Sequence, residues 1–220
     1  MKEIGASAFD RCNRLTSFRL PRNLQAIGHN AFLDCAISEL YIPSGVTSIA
    51  STAFGSCRYL AKVEVSPDNL VYDSREDCNA IVETATNTML SASVSAFIPR
   101  SVTGLSDECF NWFNRDELLL PAQISHVGPW SLTTIFRRVY CESATPPAYN
   151  SLGGSAHLFP VEHPHPEIYV PYGSLEDYSH AEGWSLFAHR LREYPAKPSS
   201  FSAAKPNWTN LDQSSFFEKH

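Results

Sequence analysis

The side chains best suited to chemistry gather at Glu162-His163-Pro164-His165-Pro166-Glu167, with His157 upstream. Two imidazoles at i and i+2 with flanking carboxylates are donors that zinc or another divalent ion accepts. The intervening prolines favour an extended chain in which alternate side chains share a face, as they do in many solvated loops. Short His-containing runs often match by accident, so the run reads as an exposed loop and no metal is assigned. Cys78 lies among Arg75, Glu76 and Asp77, the one thiol placed for reactivity, yet a thiol anchoring a hairpin is the simpler reading. Gly153-Gly154 lacks the helix signal of a phosphate loop, and Asn207-Trp208-Thr209 is a lone glycosylation acceptor. No catalytic residue and no cofactor is assigned.

The remaining residues repeat. Phe9, Phe32 and Phe54 are 23 and 22 residues apart, and Cys12, Cys35 and Cys57 follow the same spacing. Ile27 to Pro43 is one turn of this pattern, with Ile4-Gly5 and Ala8-Phe9 before it and Ile49 and Ala53-Phe54 after it. A period of 20 to 29 residues, each unit a strand plus a short helical turn, predicts a leucine-rich-repeat solenoid. That fold is a right-handed coil with a parallel β-sheet on its concave face and short helical turns opposite. Cys12, Cys35 and Cys57 are expected as buried free thiols, because parallel side chains on neighbouring coils do not converge as a disulfide requires.

The totals limit the partners. A hydrophobic share of 43% is enough for a continuous core, and a net charge of −6 with scattered basic residues argues against nucleic acid. No apolar run approaches the roughly 18 residues of a membrane span. Met1 falls inside a repeat without an apolar signal core, so the chain is expected to be a piece of a longer protein, with a signal or capping coil upstream.

Along the chain, the strands are read at Phe18 to Pro21, Leu40 to Pro43 and Val63 to Val65. Residues 66–96 break the register and hold a hairpin, Asn79 to Glu83 and Thr88 to Ser91 around Thr84 to Asn87. The period then resumes, with Val102, Leu105 and Phe110 mapping onto Ile124, Val127 and Leu132. A cap over 142–194 is expected to hold a strand, Ile168 to Pro171, and a closing helix from an N-capping Ser174 to about Leu191. Tyr178, Ala181, Trp184, Phe187 and Leu191 would form its buried face. The solenoid is thus placed at 1–194, and 195–220, rich in Pro, Ser, Ala and Lys, is expected to be disordered.

The repeat resembles the BspA-like leucine-rich repeats of bacterial surface proteins, whose pattern reads roughly L-x-x-[IV]-x-[IL]-P-x-x-V-x-x-I-G-x-x-A-F-x-x-C. Leu15, Phe18, Leu20-Pro21, Leu24, Ile27-Gly28, Ala31-Phe32 and Cys35 match it in order. Tyr72 to Leu90 looks like that family's hairpin coil. Thr145 to Pro147, Tyr169 to Tyr178 and Gly183 to Phe187 look like its closure. The resemblance implies surface display or secretion and binding of host proteins or other macromolecules, with no enzymatic residues to carry over.

The chain is therefore expected to be a noncatalytic binding module that mediates adhesion or protein–protein interaction. Its partner would be a protein or a glycan, the host's included. A rigid spacer is the first alternative and a metal-dependent enzyme using His157 to Glu167 the second. Because strand side chains alternate between faces, the outward positions form two rows across the coils. One is Ser17, Glu39, Lys62, Ser95, Glu117, Arg138 and Glu167. The other is Arg19, Tyr41, Glu64, Phe97, Leu119, Tyr140 and Tyr169. Within them Tyr41, Phe97, Glu117, Leu119, Arg138, Tyr140 and Tyr169 are the candidate binding residues.

Overall fold

The computed structural model describes residues 1–110, 114–133, 135–149, 157–159 and 166–194. The chain winds as a solenoid of stacked coils. In its first part the strands are β1 (Glu3–Ile4), β2 (Ala26–Ile27), β3 (Glu39–Ile42), β4 (Ser48–Ile49) and β5 (Lys62–Val65). β1, β2 and β4 form one parallel ladder, with Ile4, Ile27 and Ile49 in register. β3 and β5 form another on a second side of the coil, pairing Leu40 with Val63 and Ile42 with Val65. Phe18 to Leu20 precedes β3 in the repeat but forms no assigned strand. It is tied to the next coil by Ser38 N–H donating to the Thr16 carbonyl.

The third side of each coil carries the Ala-Phe-Cys run, and here hydrogen-bonded turns replace the expected helical turns. Backbone N–H groups point sideways to the next coil: Phe9 to Ala31, Phe32 to Ala53, Asp34 to Gly55. A donor used that way cannot close an i→i−4 helical bond. Ser7, Asn30 and Ser56 sit at φ near +55° to turn the chain between these bonds. Gly28 is required by close approach, since a Cβ there would lie 2.6 Å from the Ala6 backbone nitrogen.

Side chains fill the coil interior in columns. Phe9, Phe32 and Phe54 stack with centroids 5.1 and 5.4 Å apart and planes within 11°. Phe32 and Phe54 are buried, as expected. The Cys35 thiol donates to the Phe9 carbonyl and the Cys57 thiol to the Phe32 carbonyl, each reaching back one coil. Cys12 is exposed, with no described coil packed on the side where Cys35 and Cys57 find their carbonyls, which corrects the expectation that all three thiols are buried.

The hairpin lies where expected, as β7 (Ala80–Glu83) and β8 (Thr88–Ala92), antiparallel, with β6 (Tyr72–Asp73) antiparallel on its other side. β7 is buried on both faces. Ile81 enters the core of the first coils, while Ala80 and Val82 enter a second core that runs to Leu191. The break in period is bridged by side chains. Asn69 donates to the Pro43 and Val46 carbonyls and accepts from the Val71 and Tyr72 amides, using all four of its hydrogen-bonding places. Asn79 Oδ1 accepts from Val63 N–H and Ser74 donates to the Val63 carbonyl, so two side chains meet the free edge of β5.

Beyond the hairpin come β9 (Gly104–Leu105), β10 (Asn114–Leu120), β11 (His126–Val127), β12 (Ile135–Cys141), β13 (Ala148–Tyr149) and β14 (Glu167–Pro171). β8, β9, β11 and β13 continue in parallel from the hairpin, while β10, β12 and β14 build a second parallel sheet. The closing helix is shorter than expected. α1 spans only Leu175–His180, a 3₁₀ segment follows at Ser185–Arg190, and Leu191–Tyr194 is a strand, β15, parallel to β14. Gly183 at φ +78 divides the two helical pieces. Ser174 stands at the N-cap position, but its hydroxyl makes no capping bond. Tyr178 on α1, Trp184 and Phe187 at the 3₁₀ segment and Leu191 on β15 are still buried, while Ala181 is only partly so. Trp184 Nε1 donates to the Pro147 carbonyl and Tyr178 to that of Ser143, which pins the cap to the chain before it. The expected tail at 195–220 lies outside the described residues.

Two variants probe these packing devices. Phe54→Ala is expected to lose about 3–5 kcal/mol in urea unfolding, because the hole opens between two coils. A loss under about 1 kcal/mol would mean the column does not hold the coils together. Asn69→Ala leaves two carbonyls and two amides without their partner, and is expected to cost at least about 2 kcal/mol. Asn69→Asp should recover little of it, since a carboxylate accepts but cannot donate.

Candidate binding surface

The second sheet carries the densest set of outward side chains. In-register pairing sets Glu117 beside Arg138 and Arg138 beside Glu167. The next level holds Leu119, Tyr140 and Tyr169, and β15 adds Arg192 to it beside Tyr169. Their partners inward are Leu118, Val139, Ile168 and Leu191, all buried. The alternation that buries the second set is what leaves the first outside.

These groups hold one another. Arg138 Nη1 donates to Glu117 Oε1 at 2.9 Å, and Tyr169 donates to Glu167 Oε2 at 3.0 Å. The hydrogen bond to Glu117, with the charges around it, raises the Arg138 pKa and keeps the guanidinium charged. The hydrogen bond to Glu167, then partial burial, raises that of the Tyr169 phenol, while Tyr140 is raised by partial burial and by Glu117. Both rings are therefore neutral hydroxyl donors at physiological pH. They stack with centroids 5.0 Å apart and planes 18° from parallel.

One irregularity is shared by two neighbouring strands. Arg115 and Phe136 are paired and buried, as are Leu118 and Val139, so two residues on each strand lie between inward positions. They are Asp116-Glu117 and Arg137-Arg138, which line a shallow charged hollow, with Arg137 3.4 Å from Asp116. Arg115 itself is a buried cation that sequence reading did not single out. Its Nη1 donates to the Ala96 carbonyl at 2.7 Å and its guanidinium lies over the Phe110 ring. Burial lowers its pKa to about 10, still charged at neutral pH. Its alignment with Phe136 was the available signal.

The two expected rows are not continuous. Glu39 pairs with Lys62 and Tyr41 with Glu64 on β3 and β5, where a shallow groove runs over Ser17, Arg19, Tyr41 and Glu64. Tyr41 is half exposed, and Lys62 pairs with Glu64 at 2.9 Å. Between this patch and the second sheet lies the hairpin coil. There Ser95 donates to the Ala61 carbonyl, and Phe97 sits off any strand, partly buried against the second core. Phe97 thus does not stand in the row that Leu119 begins.

The other candidate chemistry dissolves or lies elsewhere. Cys78 is fully buried, and burial pushes its thiol up to about 11. No disulfide joins any cysteine. Burial likewise lifts Cys35 to about 11, and Cys57 and Cys141 to about 12. Among the described residues no three His, Cys, Asp or Glu side chains converge to hold a metal ion. Glu162, His163 and His165 lie outside the described residues, as do Gly153-Gly154 and Asn207. No helix among the described residues is long and apolar enough to cross a membrane.

Comparison with known proteins agrees with the coil geometry. The family described as BspA type leucine rich repeat region (6 copies) matches residues 1–78. A leucine rich cell surface protein from Faecalibacterium prausnitzii A2-165 superposes with a TM-score of 0.56 at 20% identity, over 65% of this chain and 39% of that one. A leucine-rich repeat protein from Eubacterium ventriosum gives 0.46 at 18%, over 58% and 42%. The pneumococcal vaccine antigen PcpA gives 0.46 at 14%, over 90% and 66%. At 20% identity the likeness to the Faecalibacterium protein is one of fold, and this chain spans about two fifths of the first two structures. No curated protein matches it.

The thiols give a pH-dependent test. A thiol whose pKa is raised on folding adds stability in full below its ordinary value of 9.0 and loses it as pH rises through the folded value. The stability lost on Cys57→Ala should therefore be largest at pH 8 and shrink towards pH 11. In the native protein at pH 8, Cys12 alone should react promptly with a thiol reagent, with the rest following in denaturant. A penalty independent of pH would contradict the burial of this thiol.

Proposed function

We infer, from a chain whose residues 1–78 match the BspA type leucine rich repeat family, a noncatalytic recognition module of a bacterial surface or secreted protein. The face of β10, β12 and β14 engages a macromolecular partner in adhesion or protein–protein contact. One observation carries this reading: Leu119, Tyr140 and Tyr169 form an in-register apolar row flanked by Glu117, Arg138 and Glu167. The core needs none of these side chains outward, and aromatic rows beside charges are the composition of recognition surfaces. The partner class favoured is protein, with glycan the competitor. Among the described outward residues of this face there is no serine, threonine, cysteine or histidine, so the face itself offers no nucleophile–base pair.

A second reading has its own support. Over β3 and β5 the outward residues are Glu39, Lys62 and Glu64 besides Tyr41. That composition suits a spacer, so the first coils are read as the stalk that presents the later ones. The two roles are compatible in one solenoid, because each coil contacts only its neighbours.

The test is a binding screen against host matrix proteins and glycans, followed by Tyr140→Ala and Tyr169→Ala on any hit. Each substitution should weaken binding by at least about tenfold while leaving the melting temperature within a few degrees, as for an interface anchor. If both variants stay folded and bind like the wild type, the partner sits elsewhere, and Ser143 to Pro166 is the next place to look.

A further inference from the structure

We propose that the face of β10, β12 and β14 takes a polyproline-II segment with a basic residue at every third position. The segment would lie across the strands, along the direction in which the coils stack. The inference rests on the recognition role proposed for this face and adds the partner's chemistry.

Spacing is the first argument. Neighbouring strands lie about 4.7–4.9 Å apart, so Glu117 on β10 and Glu167 on β14, with Arg138 in register between them, recur at roughly 9.6 Å. A polyproline-II helix has three residues per turn and rises about 3.1 Å per residue, so residues i and i+3 fall about 9.3 Å apart on one side. The side chains on one face of a β-strand recur at roughly 6.7 Å and drift out of step with the two acids. An α-helical turn of about 5.4 Å overshoots a single strand spacing and also drifts.

Charge and hydrogen bonding point the same way. Lysine or arginine at i and i+3 would meet Glu117 and Glu167, both partly exposed acids. Between them stands Arg138, exposed, whose guanidinium carries five N–H donors and gives Nη1 to Glu117. A polyproline-II backbone makes no internal hydrogen bonds and keeps its carbonyls available to such a donor. An acidic or purely apolar segment would leave this row of alternating charge without a match.

The tyrosines complete the fit and argue against a sugar. Tyr140 and Tyr169 cover one another's ring faces, so their edges and hydroxyls are what the row presents beside Leu119. Proline rings pack against such a ridge. A pyranose stacks on an open aromatic face, which these rings give largely to each other.

The probe is a synthetic peptide of four Pro-Pro-Lys units, titrated against the full chain by fluorescence anisotropy. Two controls go with it: the same composition with its lysines moved to one end, and four Pro-Pro-Glu units. The regular basic peptide should bind at least about tenfold more tightly than the rearranged one, and the acidic one not at all. Glu117→Gln and Glu167→Gln should each cut that preference several-fold, while Glu39→Gln on the separate β3 patch leaves it intact. No binding, equal binding of the rearranged peptide, or indifference to both glutamine substitutions overturns the proposal. A matrix protein or glycan hit that is lost on Tyr140→Ala, with no peptide binding, discards this partner while keeping the recognition face.

Discussion

Every coil of this protein has an inner face that only another coil can cover. The stack of Phe9, Phe32 and Phe54, with the Cys35 and Cys57 thiols each bonded to a carbonyl one coil back, is the local form of that constraint. It also dictates the backbone. Amides that bond sideways cannot bond along a helix, so the third side of the coil is built from turns with residues at positive φ. A solenoid of this kind has no central core that survives the loss of a layer, and its stability is a sum over neighbours.

The constraint makes a break in the period costly unless both exposed faces are covered at the break. The hairpin coil does this with β7, whose Ile81 faces the earlier coils and whose Ala80 and Val82 face the later ones. A strand buried on both faces reads as a continuous apolar run rather than an alternating one, which is how Ala80-Ile81-Val82 stands in the chain. The polar side of the same problem falls to Asn69, Asn79 and Ser74, which supply the hydrogen bonds a regular coil would have given. The price of the insertion is the outward ladder, which stops at β5 and restarts at β10.

What could be read in advance follows from which forces are periodic. The buried columns, the hairpin and the pairs Glu117 with Arg138 and Tyr140 with Tyr169 were legible, because coil stacking repeats residue types at fixed spacing. Phe97 was misplaced because spacing alone cannot say that a segment in the inserted coil leaves the sheet. The closing segment misled for a related reason. Tyr178, Ala181, Trp184, Phe187 and Leu191 satisfy helical spacing, yet steps of three are equally 3₁₀ steps, and Gly183 splits the run. The strand at Leu191 was missed with it, and so was Arg192, which extends the tyrosine row. Cys12 differs from Cys35 and Cys57 because a repeat pattern places a residue within its own coil and says nothing of the coil packed against it.

The irregularity at Asp116-Glu117 and Arg137-Arg138 shows how such a ladder can change its face without losing register. Adding one residue between inward positions of a single strand would turn every later side chain to the other face. Here β10 and β12 carry the addition at the same level, so Leu118 and Val139 still meet inside and Leu119 and Tyr140 still meet outside. The doubled positions are all charged and pair across the strands, Asp116 with Arg137 and Glu117 with Arg138. Apolar residues there would have presented two adjacent greasy rows to water, while unpaired like charges would have repelled at the strand spacing. The outcome is a charged shelf directly beside the aromatic row, on a sheet whose inner face is fully packed. Rigid backing beneath and alternating charge beside it are what set this patch apart from the bland face of β3 and β5, and they come from the same stacking rule that builds the core.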